Sequence, residues 1–267
     1  MMARLMRSEL RKVFTTRLWW GLLIGLVLAW AAFGALWAGL ILRPPGEATP
    51  AGSLSLDDAD AVRTALTAGL GPAYVIALTF GVIAMAGEYR QQTITATLLA
   101  APRRTWVVVS KLAVVALVGL GYGAAGVLTG LLTTAPILLA RGSHVGLTGH
   151  GIPRAQTAAA VAVALWAVLG LGVGTLIRNQ IVAVLVSIGA AWIAEPFLQL
   201  ALFAAGAGPA ARFLPSQATS ALVSPVAASG GVTTHLLPWW GGAATLIGYA
   251  VVSGVLGAAL TLRRDVT

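Results

Sequence analysis

Residues 18–42, 64–87, 112–140 and 155–177 of this 267-residue chain each run for 23 residues or more without an Asp, Glu, Lys or Arg. An α-helix rises about 1.5 Å per residue, so each stretch can cross a hydrocarbon core of about 30 Å. A fifth apolar stretch starts at Asn179 and is interrupted only by Glu195; a sixth runs from Trp239 to Leu262. With 58% of its residues hydrophobic and only 9% charged, a water-soluble fold of this size has no interior large enough for its apolar side chains. The chain therefore reads as an all-α integral membrane protein, one transmembrane domain over residues 1–267 with six transmembrane helices. The spans are expected at about 18–42, 68–88, 106–140, 155–177, 180–205 and 238–262. One long tilted helix is the simpler reading of 106–140; Pro136 and the glycines from Gly119 to Gly126 also admit a helix followed by a re-entrant piece.

The net charge of +9 would suggest nucleic acid in a soluble protein, but here the placement of the cations follows topology. With both termini cytoplasmic, the inside segments hold twelve cations: Arg4, Arg7, Arg11, Lys12, Arg17, Arg90, Arg103, Arg104, Lys111, Arg178, Arg263 and Arg264. The outside segments hold five: Arg43, Arg63, Arg141, Arg154 and Arg212. Four carboxylates, Glu47, Asp57, Asp58 and Asp60, fall in the first outside loop. This bias fixes the expected orientation, in a bacterial plasma (inner) membrane, and removes the case for a nucleic-acid partner.

Residues 1–17 read as an interfacial helix rather than a cleavable signal peptide, because the apolar run that follows is too long for one. Met2, Met6, Leu10, Val13 and Phe14 share one helical face, and Arg4, Arg7 and Arg11 lie together on the opposite one, where they can meet anionic lipid. Trp19, Trp20, Trp239 and Trp240 stand at the starts of spans, where an indole can remain half wet and anchor the helix.

Several chemistries are absent. No phosphate-binding loop is possible around Lys12 or Lys111, the two lysines of the chain, since neither follows a glycine. With no cysteine, and with His144, His150 and His235 in expected loops without spaced carboxylates, no metal site is expected. Ser187 and Ser253 lie in spans but no histidine does, which argues against an intramembrane serine protease. Glu195, in the outer half of span five just before Pro196, is the one ionisable side chain deep in a span; it is expected to face protein or a water-filled path, as a translocation contact or gate paired with Arg212, or to sit at the headgroups. The repeats Gly21-x-x-x-Gly25, Gly126-x-x-x-Gly130 and Gly170-x-x-x-Gly174 read as helix packing.

The loop between the second and third spans concentrates polar character. Tyr89, Thr93, Ala96, Thr97 and Ala100 recur at helical spacing and Pro102 closes the segment, so 89–103 reads as a short cytoplasmic helix able to dock a soluble partner. Glu88, Arg90, Thr93, Leu98, Leu99, Pro102 and Arg104 together resemble the coupling-helix region of type-2 ATP-binding-cassette exporter permeases. The ending Leu262-Arg263-Arg264-Asp265-Val266 is similar to the one common after the sixth span of that family. Ser8-Glu9-Leu10-Arg11-Lys12 with Thr16-Arg17-Leu18-Trp19 resembles its interfacial elbow, and Phe213-Leu214-Pro215 within 206–237 resembles its external helical or re-entrant segment.

The resemblance implies a permease subunit that moves a hydrophobic or amphipathic substrate out of the cell. It implies a second permease copy or paralogue, and two cytosolic ATPase subunits that bind the ATP and Mg this chain does not. Glu88, Tyr89, Arg90, Thr93, Thr97, Arg103 and Arg104 would then couple the ATPase to the spans, with Glu88 and Arg90 acting as a pair. The alternative is a non-transporting membrane subunit for immunity or envelope sensing.

Overall fold

The computed structural model describes residues 2–42, 55–90, 104–144, 146, 148–149, 151–177, 179–223 and 236–263. The regular elements among them are helical, and six helices are long and apolar enough to cross a membrane: Leu18–Ile41, Ala59–Arg90, Trp106–Ala140, Ile152–Leu176, Gln180–Ala204 and Trp239–Leu256. These are spans 1 to 6 below. The chain thus has the architecture of a multi-pass membrane protein.

Span 2 begins earlier than its charge-free run. Helix Ala59–Thr67 starts at Asp58, whose Oδ1 accepts from the Asp60 amide at 2.9 Å, and a turn at Ala68–Gly69 joins it to Leu70–Arg90. A carboxylate that caps a helix belongs at its first turn, so Asp58 and Asp60 of the expected loop mark the start of the helix. Span 3 is continuous, with a π-helical turn at Gly130–Thr134 and no re-entrant break. Span 5 has another at Ala190–Ala194. Both turns lie just ahead of a proline, Pro136 and Pro196. Proline has no amide to donate and its ring crowds the carbonyl four residues back, and the wider turn absorbs that misfit without ending the helix.

The bundle is built around span 4. In the most apolar windows, 67% of span 4 and 61% of span 2 is buried, against 22% in each of spans 1, 5 and 6. Spans 2 and 4 meet backbone to backbone: a Cβ at Gly170 would run into the carbonyl of Leu78, and one at Gly81 into that of Ala167. Helix association in lipid depends on such close packing, because hydrocarbon tails already solvate apolar side chains. Gly126 and Gly130 serve a different purpose, leaving a slot on span 3 for the indole of Trp30 from span 1. Trp30 is fully buried there and its Nε1 donates to the Leu66 carbonyl at 3.1 Å. A Cβ at Gly21 would meet nothing within 4 Å and one at Gly25 only Ile76 Cδ1 of span 2 at 3.9 Å, so the first glycine repeat does not bring two backbones together inside this chain.

Between spans 5 and 6 the chain forms a four-residue turn of helix, Gly208–Ala211, and then helix Pro215–Val223. Ala218, Thr219, Ala221, Leu222 and Val223 of the second helix are buried. It sits against spans 4 and 6, where Trp166 Nε1 donates to Thr219 Oγ1 at 2.9 Å.

Gly170→Ala is expected to lower the free energy of unfolding in a detergent titration by about 1–3 kcal/mol, the usual consequence of overpacking. Gly21→Ala, with open space around it, should leave stability unchanged or raise it by under about 1 kcal/mol, since alanine is the better helix former.

Candidate functional site

Residues Met2–Thr15 form the expected amphipathic helix, and the chain turns at Thr16–Arg17 before entering span 1 at Leu18. Arg4, Arg7 and Arg11 are exposed. On the other face Met6, Leu10 and Val13 pack against the hydrophobic core of the bundle, while Phe14 remains half exposed. The helix therefore rests its apolar stripe on protein.

A carboxylate lies within that stripe. Glu9 follows Met6 by three residues and precedes Val13 by four, and is 5% exposed. Its two oxygens take ammonium groups from separate elements: Oε1 accepts from Lys12 Nζ at 2.6 Å, and Oε2 accepts from Lys111 Nζ at 2.5 Å. Both lysines also reach Glu88 Oε1, each at 2.8 Å. Glu88 ends span 2 and Lys111 begins span 3; each is 7% exposed. Two lysines and two glutamates thus close a neutral ring that joins the N-terminal helix to two spans. Lys12, on the rim of the ring, is the most exposed of the four.

Burial works against the charge on Glu9, but the Lys111 ammonium, and then Lys12, outweigh it and hold the carboxyl below its ordinary pKa. Burial likewise opposes the charge on Lys12, and its hydrogen bonds to Glu88 and Glu9 prevail, raising it above the ordinary lysine value. Both shifts favour the ionised ring.

The residues expected to couple to a partner divide. Thr93, Thr97 and Arg103, with most of the expected 89–103 helix, lie outside the described residues. Arg104 begins the helix that becomes span 3, and Tyr89 is partly buried against the core. Arg90 is exposed, and its Nη1 donates to Gln180 Oε1 of span 5 at 3.4 Å. Glu88 and Arg90 do not form the expected pair: residues two apart on a helix point away from each other, and Glu88 turns inward to the lysines.

Trp20 is exposed as an anchor would be, but Trp19 is packed. Its ring meets Phe14 edge-on, with centroids 5.1 Å apart, and its carbonyl accepts from the Tyr122 hydroxyl at 2.5 Å. Trp239 carries the Arg154 guanidinium 5.0 Å above its ring.

Glu195 is buried, and its partner is a helix end. Its Oε1 accepts from the Ser216 amide at 2.6 Å, in the first turn of helix Pro215–Val223. The free amides and dipole at a helix N-terminus satisfy a carboxylate as a cation would. The expected pairing with Arg212 does not occur: its guanidinium lies 5.2 Å from the ring of Phe213, and no ion pair joins it to Glu195 among the described residues.

A cavity of about 370 Å³ opens beside the ionic ring. Lys12, Glu88, Arg90 and Lys111 contribute to its walls, as do Trp19 and Phe80. Among the described residues no group of three His, Asp or Glu is placed to hold a metal ion. No family model matches the chain, and no curated protein matches it in sequence.

Sequence reading missed the ring although it carried a signal: an acid in the middle of the apolar stripe of the first helix, and the chain's two lysines separated by 99 positions. Lys111→Met should destabilise the protein by about 3–5 kcal/mol, because it leaves two buried carboxylates with one ammonium. Adding Glu88→Gln should recover part of that loss. Because the Glu9 pKa is lowered on folding, its contribution is present at neutral pH and disappears as the pH falls through the acid range. Because that of Lys12 is raised, its contribution is lost as the pH climbs past the ordinary lysine value of about 10.4. Docking of the first helix, followed by Trp19 fluorescence, should be firmest between those limits.

Proposed function

We propose that the chain is the membrane-spanning permease subunit of an ATP-driven exporter of the type-2 ATP-binding-cassette kind, working in a bacterial inner membrane. It pairs with a second permease copy or paralogue, and separate cytosolic ATPase subunits supply ATP hydrolysis. Both termini and the 89–103 segment face the cytoplasm, residues 1–17 lie at the inner membrane surface, and 206–237 lies toward the outside. The cargo is hydrophobic or amphipathic.

The observation that carries this reading is the ionic ring. Glu88 is the third residue from the end of helix Leu70–Arg90, and Lys111 lies two turns into the helix that starts at Arg104. These two helices bracket the segment resembling a coupling helix. A partner that pushes on this segment pushes on both ends of a clamp, and the clamp also holds Glu9 and Lys12 of the first helix. One displacement at the cytoplasmic surface would then move the N-terminal helix and spans 2 and 3 together, as rigid-body switching between inward and outward forms requires. The resemblances at both ends of the chain support the same reading, and so does the missing phosphate loop, which leaves nucleotide binding to a separate subunit.

Co-expression with a solitary ATPase subunit encoded beside it should yield a stable complex; a chain that purifies intact without that subunit overturns the exporter reading and favours a sensing or immunity role. In the complex, Arg90→Glu should reduce substrate-stimulated ATPase activity by about tenfold or more while basal hydrolysis persists, the effect of reversing one interfacial charge.

A further inference from the structure

The cavity beside the ionic ring is graded in polarity. On span 2 its lining runs from Arg90 and Glu88 to Phe80, a descent of about 15 Å along the helix axis. On span 3 it runs from Lys111 to Val114 and Val115, one turn further in. Its mouth is therefore charged and its floor apolar, and the charges stand beside the first helix, near the end of span 2 and the start of span 3. At about 370 Å³ it falls within the range of about 300–1,000 Å³ common to small-molecule sites.

The charges at the mouth do not balance. Three cations, Lys12, Arg90 and Lys111, and two carboxylates, Glu9 and Glu88, line it. Each carboxylate is engaged by both lysines, so Arg90 is the surplus charge. Arg90 is exposed and, among the described ion pairs, meets no carboxylate; its recorded acceptor is the neutral amide of Gln180 at 3.4 Å. A guanidinium in this setting fits a phosphate, which it can bind through two parallel hydrogen bonds. The exposed Arg4, Arg7 and Arg11 of the neighbouring helix enrich the same membrane surface in anionic lipid.

We propose that this cavity holds an anionic phospholipid from the surrounding bilayer, with the headgroup phosphate on Arg90 beside Lys12 and Gln180, and the start of one acyl chain on Phe80 and Val115. The lipid completes the charge balance of the mouth and fills the gap between the N-terminal helix and spans 2 and 3. The inference holds whether or not the chain transports anything, and its test needs neither ATPase nor cargo.

The full chain, purified in a neutral detergent, is titrated with dioleoylphosphatidylglycerol or dioleoylphosphatidylcholine. Retained lipid is counted by native mass spectrometry, and the thermal unfolding midpoint is followed in parallel. One phosphatidylglycerol should be held in preference to phosphatidylcholine and should raise the midpoint. Arg90→Gln should weaken that binding by about tenfold, the loss of one charge-assisted contact. Ala84→Phe, which fills the floor from span 2, should abolish it, and Val115→Phe should do the same from span 3 if the first variant does not fold. Arg4→Gln, on the exposed face of the first helix, should leave the retained lipid in place. Equal retention of the two lipids, equal loss in Arg4→Gln and Arg90→Gln, unchanged binding in a folded cavity-filling variant, or equal protection by inorganic phosphate alone would each overturn the proposal.

Discussion

An ammonium or carboxylate that enters a membrane-embedded bundle must find an opposite charge, because the hydrocarbon offers no water to replace it. Much of the half of this protein that carries the first helix is arranged by that requirement. Lys111 stands five residues into span 3 and is 7% exposed. Its demand is met by Glu88 at the end of span 2 and by Glu9 on the first helix. Lys12 then supplies the second positive charge that two carboxylates need. Glu9, Glu88 and Lys111 are tolerable there only because opposite charges surround them, and Lys12 completes the balance from the rim. The ring is thus a specific registration of three elements, where purely apolar contacts would allow sliding.

The opposite half of the bundle uses a different device for the same problem. Glu195 meets a helix N-terminus, so the short helix Pro215–Val223 is held at its start by span 5 and in its middle by Trp166 of span 4. Between these two polar fastenings, cohesion comes from contact of backbones. Gly81 and Gly170 bring spans 2 and 4 together more closely than any side chain would permit. The result is a dense centre of spans 2, 3 and 4 with spans 1, 5 and 6 around it. The outer three leave large apolar side chains uncovered, Leu28, Leu185 and Val255 among them. Lipid or other membrane helices solvate such faces without penalty, so spans 1, 5 and 6 are the elements least constrained by the rest of the chain.

What the sequence made legible depended on whether the governing physics was local. Span number followed from length and apolarity alone, and the first helix from a period of 3.6 residues. The π turns of spans 3 and 5 had a local cause in Pro136 and Pro196, although proline alone does not tell a wider turn from a break. The ring was less visible because Glu9 and Lys111 are 102 residues apart and their meeting depends on tertiary placement. Glu88 and Arg90 look like a pair when written side by side, yet helix geometry directs them apart. The partner of Glu195 was hidden for a further reason: it is a backbone amide, and a search for opposite charges passes over main-chain donors that every residue carries.

The ring also bears on how a motion between the ends of spans 2 and 3 would spread. A neutral, fully paired cluster has two stable conditions, closed with all four charges satisfied, or open with water admitted to each; intermediate separations leave buried charges unpaired and are disfavoured. An element fastened in this way moves as a body or comes free. The Gly81–Gly170 contact imposes the same behaviour on spans 2 and 4, since backbones in direct contact slide poorly past one another. A force applied between Arg90 and Arg104 would therefore reach the first helix and the centre of the bundle with little loss. Among the described residues, span 5 meets this region through the long hydrogen bond from Arg90 to Gln180 and through Ala183, buried in one cluster with Val82 and Ala86 of span 2, so the start of span 5 would travel with that body.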